Sequence, residues 1–146
     1  MQYSFYNGLR WLKRLVWIGF FINLIFVIPS LFFPRTLETW FEFGTTNTIH
    51  WLQNVGLLLL IVTLLYIPVT QDPFRYSFVT FLVIVGRFCA GLLFLFGVLH
   101  MNYPQGMWML ALTDLILSSL QAIAWFFALR DGDPKAGFQH GQTRTV

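Results

Sequence analysis

Four long apolar runs, separated by short polar stretches, organise this 146-residue chain. Leu15 to Phe33 runs 19 residues without a charged side chain, and Thr48 to Val69 runs 22. Phe78 to Leu99 covers 22 residues with one charge, Arg87, and Met107 to Leu129 covers 23 with one, Asp114. A bilayer hydrocarbon core about 30 Å thick is crossed by about 20 helical residues. None of the runs alternates apolar and polar positions as a barrel strand does, so all four predict transmembrane helices. The first is too long for the apolar part of a signal peptide, and no small-x-small cleavage site follows it. The expected fold is an all-α membrane protein, a single domain of four antiparallel transmembrane helices.

The connections sharpen this picture. Asn102 to Gly106 is a five-residue turn containing Pro104 and Gly106, which predicts an antiparallel hairpin of the third and fourth helices. Gln71-Asp72-Pro73 marks a similarly tight turn. The segment from Pro34 to Asn47 is longer, with Leu37, Trp40 and Phe41 spaced to share one helical face. That spacing predicts an interfacial helix, the alternative being a loop with aromatic anchors. The polar, glycine-containing tail from Asp131 to Val146 is expected to be flexible.

Composition supports the membrane assignment. Hydrophobic residues make up 57% of the chain and charged residues 10%, against roughly a quarter charged in soluble domains. The mean hydropathy is +0.67. Seventeen Phe and six Trp suit dense packing and interfacial anchoring. A single cysteine, Cys89, excludes an internal disulfide and a multi-thiolate metal site. Deep in an apolar run, it reads as a packing residue rather than a nucleophile.

Charge sets the expected orientation. Arg10, Lys13, Arg14, Arg75, Arg130, Lys135 and Arg144 fall on one side of the predicted bundle, and Arg35 alone on the other. The positive-inside rule then places both termini in the cytoplasm, with the bundle in a cell inner membrane. This bias accounts for the net charge of +3. No basic cluster with interleaved stacking aromatics exists on a soluble surface, so a nucleic-acid partner is not expected.

Ionisable groups inside the hydrocarbon cost roughly 2.5–3.5 kcal/mol each and face a bundle interior. Arg87 and Asp114 are the two cases. Counted outward from the turn, they are offset by about six residues, or roughly 9 Å along the axis. Side chains lean toward their own helix N-terminus, which moves these two apart. The expectation is therefore an indirect link through Ser118, Gln121 or water. Asp114, Ser118, Gln121 and Trp125 form one stripe of the fourth helix. Gly86 with Ala90, and Gly91 one turn beyond Arg87, predict close helix approach. Gln53 and Asn54 are expected near the depth of Asp114, and Asn23 near that of Arg87. Together with His50 they suggest a polar track from one surface to mid-membrane. It reads either as hydrogen-bonded fastening of four helices or as a working site, such as a quinone headgroup pocket or proton path.

His50 and His100, predicted at opposite ends of their helices but at similar depth, are candidate axial ligands for a haem b, the plainer reading being interfacial histidines. His140 falls in the tail and is expected to be solvated. No HExxH, phosphate-binding glycine loop or Gly-x-Ser-x-Gly occurs, so no catalytic residue is assigned.

The stretch Val69-Thr70-Gln71-Asp72-Pro73-Phe74-Arg75-Tyr76, then Gly86-Arg87, then Asp114-Leu115, resembles the DoxX-like family of small four-helix membrane proteins. Members often carry Asp-Pro-x-Arg-Tyr between helices two and three, Gly followed by a basic residue in helix three, and Asp-Leu in helix four. The resemblance covers roughly residues 48 to 129. It implies a four-helix bundle linked to membrane redox systems, with Arg87 and Asp114 in a shared polar core. The expected function is a non-catalytic accessory subunit that stabilises or docks a larger redox complex, its partners being the lipid bilayer and other membrane subunits. The alternatives are a quinone-binding oxidoreductase subunit and a b-haem electron carrier.

Overall fold

In a computed structural model, which describes residues 2–41 and 49–131, each apolar run is helical and six helices account for four crossings. The elements are α1 (Gln2–Phe32), α2 (Pro34–Trp40), α3 (Ile49–Leu64), α4 (Tyr66–Gln71), α5 (Ser77–His100) and α6 (Met107–Asp131). The helices long and apolar enough to cross a membrane are Gly8–Phe32, His50–Gln71, Ser77–His100 and Met107–Arg130. The polar tail beyond Asp131 lies outside the described residues. So do Glu42, Phe43 and Asn47 of the first connection.

α1 begins thirteen residues before the apolar run from which it was expected, because hydropathy marks the lipid-facing part of a helix rather than its start. Arg10, Lys13 and Arg14 are good helix formers and continue the same helix. The second crossing is divided at Leu65. Pro68 has no N–H to give the carbonyl of Leu64, and its ring crowds that carbonyl. Leu65 N–H instead bonds the carbonyl of Val62 at 3.1 Å, a tightened turn that separates α3 from α4.

α1 is the hub. It packs against α6 along one side and against α3 and α4 along another, while α5 and α6 form the hairpin. α4 closes the bundle against α5 at the end that carries Arg10, Lys13, Arg14, Arg75 and Arg130, hereafter the basic end. There Leu12, Val16, Tyr66, Val69, Val83 and Ala124 make the apolar core. Lys13 Nζ donates to the Gln71 carbonyl at 2.7 Å, tying α1 to the end of α4. In the next turn, Asp72 Oδ1 accepts the N–H groups of Phe74 and Arg75, both at 3.1 Å. Buried Thr80 Oγ1 donates to the carbonyls of Pro73 and Tyr76, so the turn is held from both sides.

At the opposite, hairpin end, Asn102 takes φ 53° and turns the chain between α5 and α6. Asparagine is one of the few residues that adopts this conformation readily. α2 is present, with Pro34 at its first turn, but its aromatic positions do not share one face as expected. Leu37 is 1% exposed and caps the bundle, whereas Trp40 is 68% exposed. Phe41 turns back and meets Phe26 edge-on, ring centroids 5.7 Å apart. A seven-residue helix is too short to keep one face in the interface while its ends are tied to α1 and α3.

Lipid chains are as apolar as leucine, so apolar contact alone gives the helices no strong preference for one another over lipid. Close backbone approach and buried polar contacts supply that preference. Gly91 is one such approach: a side-chain carbon there would stand 2.8 Å from Leu115 Cγ. Gly86 is not; it faces open space, so the expected Gly86–Ala90 pair does not mediate helix contact within the bundle. Gly86 and Gly91 lie on different sides of α5, since five residues carry a helix through about 500°, well past a full turn.

Candidate functional site

All four crossings meet around Arg87, which is 6% exposed. Its Nε lies 3.2 Å from Asp114 Oδ1, a direct ion pair between α5 and α6. This corrects the indirect link expected from the sequence. Gly91 packs on Leu115, which sets Arg87 about five residues from Asp114 along the axis, or roughly 7 Å. The arginine stem is long enough to run that distance toward the hairpin end, against the usual lean of helical side chains. Ser118 does not bridge: its hydroxyl donates to the carbonyls of Asp114 at 2.6 Å and Leu115 at 3.2 Å. Gln121 does not bridge either, since its Nε2 donates to the Leu15 carbonyl of α1 at 3.2 Å.

The guanidinium reaches α1 as well. Its Nη2 donates to Asn23 Oδ1 and to the Gly19 carbonyl, the latter at 3.3 Å. Asn23 Nδ2 donates in turn to Thr63 Oγ1 on α3 at 3.0 Å, and Thr63 donates to the Leu59 carbonyl at 2.6 Å. Tyr66, 2% exposed at the start of α4, turns its ring face to the guanidinium, with Cζ 5.5 Å from the centroid. Cation–π attraction of this kind strengthens when both partners leave water. The Tyr66 hydroxyl also interacts with Asn23 and Arg87.

One cation is thus held by a carboxylate on α6, an amide and a carbonyl on α1, and an aromatic face on α4, with Thr63 extending the network to α3. A lone arginine in hydrocarbon is costly, and each of these contacts offsets part of that cost. Two buried atoms have no partner among the described residues: Arg87 Nη1, a donor, and Gln121 Oε1, an acceptor. Gly19 makes room for both side chains. A side-chain carbon there would stand 2.7 Å from Arg87 Nη1 and 3.3 Å from Gln121 Nε2.

The remaining polar residues lie elsewhere. Gln53 Nε2 donates to the Leu31 carbonyl at 3.3 Å, near the hairpin end, and Asn54 is exposed beside it. Neither reaches the depth of Asp114, because α3 pairs with α1 in a register that sets Thr63, ten residues further on, level with Asn23. The continuous track from surface to mid-membrane is therefore a mid-membrane cluster with a separate hairpin-end contact. His50 on α3 and His100 on α5 are both exposed. The His100 ring lies against Phe96, centroids 4.9 Å apart. The two helices pack mainly on α1 and α6 respectively, so the histidines are not set on facing helices. Cys89 is exposed on the outer face of α5.

Tyr66 and Thr63 escaped sequence reading because a tyrosine and a threonine in an apolar run look like packing residues. The signal that was present is the single Tyr two residues before Pro68, where a break in the helix frees a side chain to turn inward. No family model, no curated protein and no solved structure matches the chain, so the resemblance to DoxX-like proteins rests on its three short motifs.

Proposed function

We propose that this chain is a non-catalytic integral membrane subunit that stabilises or docks a larger redox complex. One observation carries the reading: most of the mid-membrane polar contacts join one helix to another, in a clasp that fixes the four crossings, and all but two of the described buried side-chain polar atoms have partners, while the outer surface is left apolar. A clasp of this kind gives a rigid bundle without a substrate. Exposed Phe21, Phe78, Phe81, Phe88, Phe96 and Phe126 then offer broad faces to lipid or to neighbouring subunits. Aromatic side chains of this size dominate the core of protein interfaces. The redox character is what the resemblance to DoxX-like proteins implies, carried by the short motifs around Asp72, Arg87 and Asp114. The excess of basic residues at one end supports insertion with that end, and both termini, in the cytoplasm of a bacterial inner membrane.

Extraction from native membranes in mild detergent tests this directly. The chain is expected to co-migrate in stoichiometric amounts with subunits of a respiratory or oxidase complex, identified by mass spectrometry and visible absorbance. Recovery as a lone, stable monomer would overturn it.

A second reading is a quinone-binding subunit, and the observation favouring it is the pair of unspent groups, Arg87 Nη1 and Gln121 Oε1. A quinone carbonyl accepts from the first, and the hydroxyl of the reduced form donates to the second. Gln121→Leu removes the acceptor while leaving the ion pair in place. On this reading the variant loses quinone-linked turnover in membranes; full turnover removes the reading.

A further inference from the structure

We infer that the groove between α1 and α6 at the basic end is a binding site for an anionic phospholipid. The groove holds about 310 Å³. Trp11 and Leu15 line its α1 side, Leu120, Ile123 and Phe127 its α6 side, and Ala124 its floor. It opens outward, since Trp11, Ile123 and Phe127 are all strongly exposed. An acyl chain fits such a lining; a soluble ligand does not.

Charge identifies the headgroup. Each lip of the groove carries an arginine. Arg14 lies one turn from Trp11 on α1, with its Cζ 5.7 Å from the Trp11 ring centroid. Arg130 lies one turn beyond Phe127 on α6. Both are exposed, and neither has an ion-pair partner among the described residues. The other cations of this end are engaged differently: Lys13 holds the Gln71 carbonyl, Arg75 lies over Tyr76 on the far side of the bundle, and Arg10 has a contact of its own.

Depth makes the arrangement specific to a lipid. Gln121 of α6 bonds the Leu15 carbonyl, so Arg14 stands level with the exposed Ile123 region of α6. Arg14 and lipid-facing Ile123 therefore share one layer, with Arg130 about eight residues, or roughly 12 Å, further toward the basic end, which is the condition across the boundary between acyl chains and headgroups. A tryptophan at that level is the usual anchor. Two guanidinium groups flanking an apolar groove match a phosphodiester joined to a hydrocarbon tail, and guanidinium is the side-chain group best shaped for phosphate oxygens.

Native mass spectrometry of the full chain, exchanged into mixed micelles of equimolar phosphatidylglycerol and phosphatidylcholine, tests the proposal. Attraction of roughly 1 kcal/mol for each of the two arginines sets the expected preference for phosphatidylglycerol at about thirtyfold. The Arg14→Gln/Arg130→Gln variant should bring it down to parity, and Ala124→Phe, which fills the floor, should reduce retention of both lipids. Arg75→Gln, on the far side of the same end, should change nothing. Equal retention of the two lipids by the unaltered chain would overturn the proposal. So would a loss in Arg75→Gln as large as in the double variant, which would reveal diffuse charge rather than a site. Displacement of phosphatidylglycerol by millimolar inorganic phosphate would show an anion site that has no need of the groove. A dimer broken by Ala124→Phe would assign the groove to a second copy of the chain. Either result refutes the lipid.

Discussion

Replacing Arg87 with alanine is expected to destabilise the bundle by about 3–5 kcal/mol, the range for breaking a buried ion pair by removing one partner. The loss has four sources. Asp114 is left with a carboxylate and no cation, its side chain 21% exposed. Asn23 and the Gly19 carbonyl lose their donor. Tyr66 loses the cation over its ring, and a cavity replaces the arginine stem. Thermal unfolding in detergent, followed by helical circular dichroism, measures the effect. The informative comparison is Arg87→Leu combined with Asp114→Leu. Swapping a buried pair for apolar residues of similar volume is often neutral or stabilising, so the double variant should recover most of what the single one loses. Arg87→Lys should fall between, because an ammonium cannot reproduce the fork that reaches Asp114 and Asn23 together. If Arg87→Ala unfolds at the temperature of the unaltered protein, the clasp does not hold the bundle.

The second large effect is expected at Gly56, where α3 crosses α1. A side-chain carbon there would lie 2.1 Å from Ser30 Oγ and 2.9 Å from Ser30 Cβ. Ser30 is fully buried, and its hydroxyl donates to the Val27 carbonyl at 2.8 Å. The serine has nowhere to retreat, so Gly56→Ala must move one helix off the other, at about 1–3 kcal/mol, the usual range for overpacking. Ser30→Gly should relieve it: the double variant is expected to be more stable than Gly56→Ala alone. A double-mutant cycle read by thermal unfolding gives the coupling energy. Additive effects would mean that the two positions do not touch.

Why one of these positions was legible in the sequence and the other was not has a physical explanation. A charge in an apolar run announces itself, so Arg87 and Asp114 stood out and their net neutrality suggested partnership. Their direct contact did not follow, because counting from the turn locates Cα atoms and ignores how far an arginine can reach. Gly56 and Gly19 are silent in a single sequence. A glycine in a membrane run is common, and only the helix register tells which one faces a neighbour; Gly86, which faces none, looked the more promising. Register also misplaced Gln53 and Asn54. The second crossing was expected to be an unbroken helix, yet Pro68 divides it, and the proline was visible throughout. The four crossings themselves were legible because the bilayer imposes a length on them. Nothing comparable imposes rotation about the helix axis.

The placement of the ion pair also bears on how the chain enters the membrane during synthesis. Arg87 and Asp114 occupy the two legs of one hairpin, joined through the short turn after His100. Taken singly, each leg carries an uncompensated charge worth roughly 2.5–3.5 kcal/mol against insertion. Taken together, they present the translocon with a neutral unit whose charges are already within reach of each other. Asp114 emerges from the ribosome only 27 residues after Arg87. α5 is therefore a leg that waits for its partner, and the hairpin, rather than the single helix, is the smallest piece of this protein at ease in lipid.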